Sequence, residues 1–96
     1  QHIPQSFIAL ERKIEVGELN RRFDIVIYQR DMTPWMLAEC KAMNVPLTEK
    51  TISQAIGYCS AASVKYLLIS NGHHTYLWHL ILPNPVMLES FPVYIK

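Results

Sequence analysis

The stretch Arg22–Lys41, RFDIVIYQRDMTPWMLAECK, decides the fold of this chain. Phe23–Tyr28 is rich in β-branched and aromatic residues and reads as a strand. Trp35–Cys40 is a second apolar run, and Asp31-Met32-Thr33-Pro34 between them carries the turn residues Asp and Pro. A four-residue loop pairs Arg30 with Trp35, Tyr28 with Leu37, Val26 with Glu39 and Asp24 with Lys41. Side chains on one sheet face recur every second residue, so Glu39 and Lys41 point the same way. Directly opposed residues share a face, so Asp24 joins them, opposite Lys41 and diagonal to Glu39, while Cys40 points to the other face. A slip of the pairing by two residues keeps all three together.

Two carboxylates and an ammonium on one patch can do specific chemistry. The carboxylates suit a hard divalent cation such as Mg²⁺, which prefers oxygen ligands and keeps several waters. Such a cation polarises a phosphoryl oxygen and lowers the pKa of a bound water, while a nearby lysine orients the water or stabilises charge. Phosphodiester hydrolysis is extremely slow when uncatalysed and needs acceleration at the high end of about 10⁶–10¹⁷-fold. The plainer account is a solvated strand rim, whose exposed ion pairs stabilise by about 0–1 kcal/mol. The setting of Glu39 weighs against that account. It interrupts the apolar run from Trp35 to Met43, where a strand buried on both faces is expected. A carboxylate there is costly unless it is paired or holds a metal.

With 96 residues the chain is one domain or a piece of one, and its opening Gln1-His2-Ile3-Pro4, without Met, reads as that of a fragment. Half of the residues are hydrophobic, enough for a packed core, and the net charge of +1 gives no electrostatic case for nucleic-acid binding by this chain alone. Cys40 and Cys59 form no metal motif, so a reduced, cytoplasmic setting is the default. No apolar run reaches the length of a membrane span, and nothing resembles a signal peptide.

In chain order, Gln1–Ser6 reads as a loop and Phe7–Val16 as a loosely alternating strand. Gly17-Glu18-Leu19-Asn20 turns it back on the Phe23 strand, so the first three strands form an antiparallel meander. Glu11, on the wetter face, is a candidate additional acid, with a surface ion pair as its simpler role. After the loop Ala42–Pro46 a helix is predicted over Thr48–Ala62, with Thr48 as N-cap and Leu47 and Ile52 at the hydrophobic-staple positions. Ile52, Ile56, Cys59 and Ser63 make its sheet-facing stripe, and Gln54 and Tyr58 fall on a different face. Val64–Ser70 reads as a buried strand, parallel to its neighbour because a helix crosses over to it. Asn71-Gly72 is a strong hairpin signal, and His73–Ile81 is the last central strand. Pro83, Pro85 and Pro92 break up the tail, which is left one edge strand or a short arm.

Other constellations carry less. His73 and His79 lie roughly 20 Å apart along a strand, too far to share a zinc ion, and read as exposed strand histidines. Cys59 lacks a His partner for nucleophilic work and sits on the stripe expected to be buried.

Asp24, then Glu39-x-Lys41 at the end of the next strand, then Gln54-x-x-x-Tyr58 on a helix, resembles the PD-(D/E)XK nuclease superfamily. The phrases ALERKIEVGELNRRFDIVIYQRD, PWMLAECKAMNVPLT, QAIGY and YLLISNG are similar to the nuclease domain of type I restriction enzyme R subunits, over about residues 4–80. The resemblance implies that Asp24, Glu39 and the Cys40 backbone carbonyl ligate Mg²⁺ (Mn²⁺ as substitute) and that Lys41 positions or activates the attacking water. It implies that Gln54 and Tyr58 support the site or contact DNA. Two departures stand out: Phe23 replaces the Pro that precedes the acid, and the first helix usual in such domains does not precede Ile3.

The expected fold is α/β: a restriction-endonuclease-like mixed sheet of about five strands, antiparallel meander first, with one packed helix. The expected function is Mg²⁺-dependent DNA endonuclease of restriction-modification type, with DNA, other restriction subunits or a second copy as partners and no membrane. The alternative is a non-catalytic DNA-binding or assembly module that keeps the fold.

Overall fold

The β-branched and aromatic runs do form strands, and they form more of them than the sequence suggests. A computed structural model of the chain describes residues 3–16, 19–81, 84–92 and 94. After a 3₁₀ turn at Gln5–Phe7 come β1 (Ile8–Val16), β2 (Leu19–Tyr28), β3 (Pro34–Cys40), α1 (Glu49–Ala61), β4 (Tyr66–Ser70), β5 (Thr75–His79) and β6 (Val86–Leu88). The six strands make one mixed sheet in sequential order. Every neighbouring pair is antiparallel except β3 and β4, which are parallel and joined through α1. The α/β class is as expected. The strand count exceeds the expected five because the short run Val86–Leu88 of the tail pairs with β5.

The β2–β3 register differs from the four-residue-loop pairing by two residues. Val26 faces Leu37, rather than Glu39, and the strands close at Tyr28–Pro34 with a register shift between Ile27 and Tyr28. The loop chemistry explains this. The Asp31 carboxylate accepts from the Thr33 backbone N–H at 3.0 Å and from its hydroxyl at 2.6 Å, which holds the Asp31 pKa below the usual carboxylate value. Met32 takes φ +66°, and the Gln29 N–H donates to the Thr33 carbonyl at 2.9 Å. Pro34, lacking an N–H, then starts β3.

Thr48 caps α1 as expected, its hydroxyl accepting from the Thr51 N–H at 3.2 Å. Ala62 follows the helix and Ser63 turns out of it at φ +59°, so Ser63 is exposed and takes no part in the sheet-facing stripe. Ala55 and Cys59 are the residues α1 buries, flanked by Ile56, Tyr58 and Ala62. On the helix side they pack with Phe23, Val26, Leu37, Val64 and Leu67.

The other sheet face has its own core of Ile27, Trp35, Met36, Leu77 and Tyr94. The rings of Tyr66 and Tyr94 each lie 5.0 Å from that of Trp35, in edge-on contact. Tyr94 also donates its hydroxyl to the Tyr28 carbonyl. The tail thus supplies the edge strand β6 and, with Tyr94, a core residue. His79 likewise departs from the exposed role expected of it, being half-buried and stacked on Tyr66 at 4.6 Å.

The Asn71-Gly72 turn is present as a four-residue connection between Ser70 and Thr75. Gly72 takes φ +89°, and the buried Asn71 side chain accepts from the N–H groups of His73 and His74 while donating to the Val45 carbonyl. The turn is thus tied to the β3–α1 loop.

Candidate functional site

In open α/β sheets the crevice for a ligand lies beyond the carboxyl ends of parallel strands. Here β3 and β4 end together, with Cys40 opposite Ser70 and the Lys41 N–H donating to the Ser70 carbonyl at 2.7 Å. Glu39 is the last buried residue of β3, with 6% of its surface exposed. It projects to the helix side, as Leu37 two residues before it does.

Two cations contact that carboxylate. Lys41 Nζ lies 2.9 Å from Oε2, and Arg21 Nη2 donates to Oε1 at 2.6 Å. Oε2 is buried and makes no well-directed hydrogen bond, so its contact with Lys41 is one of charge rather than alignment. Asp24 stands one step beyond the last β2–β3 pair, Ile25–Ala38, and so directly across from Glu39 instead of Lys41. Its Oδ2 accepts from the Cys40 N–H at 2.6 Å. The structure thus brings Asp24 to the backbone between Glu39 and Lys41, whose side chains are in contact with each other.

Arg21 was not legible as a neighbour of Glu39. Strict alternation from Asp24 puts Arg21 on the opposite face. The β1–β2 ladder, however, skips the Glu11–Asp24 step and resumes in the same register, with Glu11 at φ +49°. Phe23 and Val26, three residues apart, consequently pack into the same helix-side core. That break in period turns Arg21, two before Phe23, toward Glu39. Its guanidinium also lies 5.2 Å from the centre of the Phe23 ring.

The remaining expected residues divide. Glu11 lies at the skipped step of the β1–β2 ladder and is exposed. Gln54 is exposed on α1. Tyr58 departs from the surface position expected of it: it packs on the helix-side core, its ring 5.7 Å from Phe23, and donates its hydroxyl to the Ile14 carbonyl of β1. Its contacts support the strand that carries Arg21 and Asp24. Cys59 is buried as expected, and burial pushes its thiol up to about 12, which removes it as a nucleophile at neutral pH. Beside the site the β3–α1 loop, Asn71, His73, His74 and Tyr76 line an open groove of about 590 Å³.

A divalent cation suits part of this arrangement. Among the described residues no three His, Cys, Asp or Glu side chains converge on one point, so a full protein cage is absent. Mg²⁺ does not need one, since it is commonly held by one or two carboxylates with waters completing the shell. Asp24 and Glu39 are the carboxylates available for this, and the buried Oε2 of Glu39, beside the Lys41 ammonium, makes no directed hydrogen bond.

Residues 1–90 match the family model for the type I restriction enzyme R protein N terminus (HSDR_N). The chain belongs to that family. No curated protein matches it. Among solved structures, this HSDR_N chain is similar to a fragment of a putative HsdR subunit of a type I restriction enzyme from Vibrio vulnificus YJ016. The TM-score is 0.58 at 23% identity, over 88% of this chain and 18% of that one. At that identity the likeness concerns the fold. The HSDR_N chain spans less than a fifth of that protein's length. No helix among the described residues is long and apolar enough to cross a membrane.

Proposed function

We propose that this HSDR_N chain is the Mg²⁺-dependent DNA-cleaving part of a restriction-modification enzyme, working in the cytoplasm on phosphodiester bonds. The observation that carries the reading is the buried Glu39 carboxylate at the shared carboxyl end of β3 and β4. It has the Lys41 ammonium on one oxygen and the Asp24 carboxylate fixed across the strand.

Asp24 and Glu39, with the Cys40 backbone carbonyl, would hold the ion, and Mg²⁺ when bound supplies positive charge against the phosphoryl group and acidifies water. The other roles fall to the chain. The Cys40 N–H fixes the orientation of Asp24 through Oδ2. Lys41, with about a third of its side chain exposed, can present its ammonium to a water or phosphate oxygen at the mouth of the crevice. Tyr58 supports β1 and the Phe23 ring, and Gln54, facing solvent on α1, is free to meet the DNA backbone.

The test is nicking and linearisation of plasmid DNA by the intact restriction enzyme in Mg²⁺. Glu39→Ala should abolish cleavage and Lys41→Ala should lower it about 10²–10⁴-fold while both variants stay folded. Undiminished cleavage by both would refute the reading. A second reading, a non-catalytic DNA-binding or assembly module, draws support from the net charge of +1. It predicts metal-independent behaviour of both variants.

A further inference from the structure

Arg21 has no part in the reaction just described, yet it makes the shortest polar contact with Glu39. We propose that Arg21 is a displaceable counter-ion: its guanidinium occupies Glu39 Oε1 when the site holds no metal, and a divalent cation must move it aside to bind. The proposal rests on the metal-dependent reading of the same site and adds to it a built-in competitor for the ion.

Four observations converge. First, the Glu39 side chain is only 8% exposed, and a carboxylate so buried needs a compensating charge in the metal-free fold. Arg21 provides it through a charge-assisted hydrogen bond of 2.6 Å, whereas Lys41 contacts Oε2 without hydrogen-bond alignment. Second, Arg21 and Asp24 both belong to β2, while Lys41 follows β3. A cation that took Glu39 Oε1 as a ligand would come against the Arg21 guanidinium bound there, and two positive charges at that distance repel. Third, the Arg21 side chain is 25% exposed, so it has solvent to move into. Fourth, Phe23 offers the guanidinium a second contact, the ring 5.2 Å away, that does not depend on Glu39.

Calorimetric titration of Mn²⁺ into the chain tests this, with Glu39→Gln as the blank that identifies heat due to Glu39. Arg21→Gln should bind Mn²⁺ about tenfold more tightly or better, the range expected when a charge-assisted hydrogen bond no longer competes. Arg21→Lys should fall between Arg21→Gln and wild type. Without metal, Arg21→Gln should melt lower than wild type, and saturating Mn²⁺ should close the gap. That last result separates competition from a merely structural role, in which the gap would persist. Should Arg21→Gln fail to fold, Arg21→Lys decides alone: a gain in affinity supports the proposal and no gain overturns it. Glu39-dependent binding that is equal or weaker in the Arg21 variants overturns the counter-ion and leaves the metal site standing. No Glu39-dependent binding in any variant overturns both.

Discussion

Glu39 and Lys41 are two residues apart and in contact, yet a metal titration should tell them apart. In the proposed function Glu39 would supply a ligand oxygen, so Glu39→Gln should lose Mn²⁺ binding together with cleavage. Lys41 would act on water or phosphate, so Lys41→Ala should still bind Mn²⁺ while cleavage falls about 10²–10⁴-fold, the usual loss for a group that assists proton transfer. Loss of metal binding in Lys41→Ala would instead make Lys41 a structural partner of Glu39. The two cysteines offer an independent check at the same scale. Cys40 is exposed at the end of β3, whereas Cys59 is fully buried with its thiol raised to about 12. Iodoacetamide at pH 8, read by peptide mass spectrometry, should therefore label Cys40 well ahead of Cys59, and urea should erase the difference. Equal labelling in buffer would mean that α1 does not cover the sheet as described.

At the scale of elements, the Tyr58 side chain joins α1 to β1. Tyr58 donates to the Ile14 carbonyl and packs on Phe23, so Tyr58→Phe keeps the packing and takes this donor from a half-buried carbonyl. It should cost about 0.5–1.5 kcal/mol in urea denaturation. It should leave Mn²⁺ affinity unchanged, because the hydroxyl it removes is bonded to the Ile14 carbonyl of β1. Gln54→Ala, on the exposed face, should stay within about 0.5 kcal/mol of wild type. These elements also show how far the sequence could be read. The meander, the parallel crossover and the Thr48 cap were legible because alternation, helix spacing and capping chemistry are local signals. That Asp24 comes to the Glu39–Lys41 segment was legible despite a wrong register, since a slip of two preserves the face. Arg21 was not, because the break at Glu11 and Asp24 is a backbone event that no residue pattern announces. A glycine would have flagged a positive φ, but here a glutamate adopts it. Tyr94 was missed for a related reason: the prolines of the tail argue against a strand but say nothing about burial of an aromatic beyond them.

For the whole molecule, the proposed function implies a division of labour between this chain and the remainder of a restriction enzyme. The sheet has α1 on one face and the aromatic contacts of Trp35, Tyr66 and Tyr94 on the other, with the crevice at the end of β3 and β4. What that arrangement lacks is charge. Nine lysines and arginines against eight acids leave +1, and Arg21 and Lys41 are already engaged with Glu39. A protein that neutralises many phosphates releases as many counterions, and its affinity then falls steeply with salt. This chain has few cations to spare, so it should bind an oligonucleotide weakly. The logarithm of its affinity should fall against that of salt with a slope of only about −2 to −3, corresponding to two or three phosphate contacts. Fluorescence anisotropy of a labelled duplex between about 50 and 200 mM salt measures this directly. The intact enzyme should bind the same duplex more tightly and with a steeper slope, because other parts of it would hold the DNA while this chain supplies the carboxylates and lysine. A slope of about −6 or steeper for the chain alone would overturn that division. It would mean that the exposed residues around the crevice, those of the groove between the β3–α1 loop and the β4–β5 turn included, form a DNA-binding surface that net charge conceals.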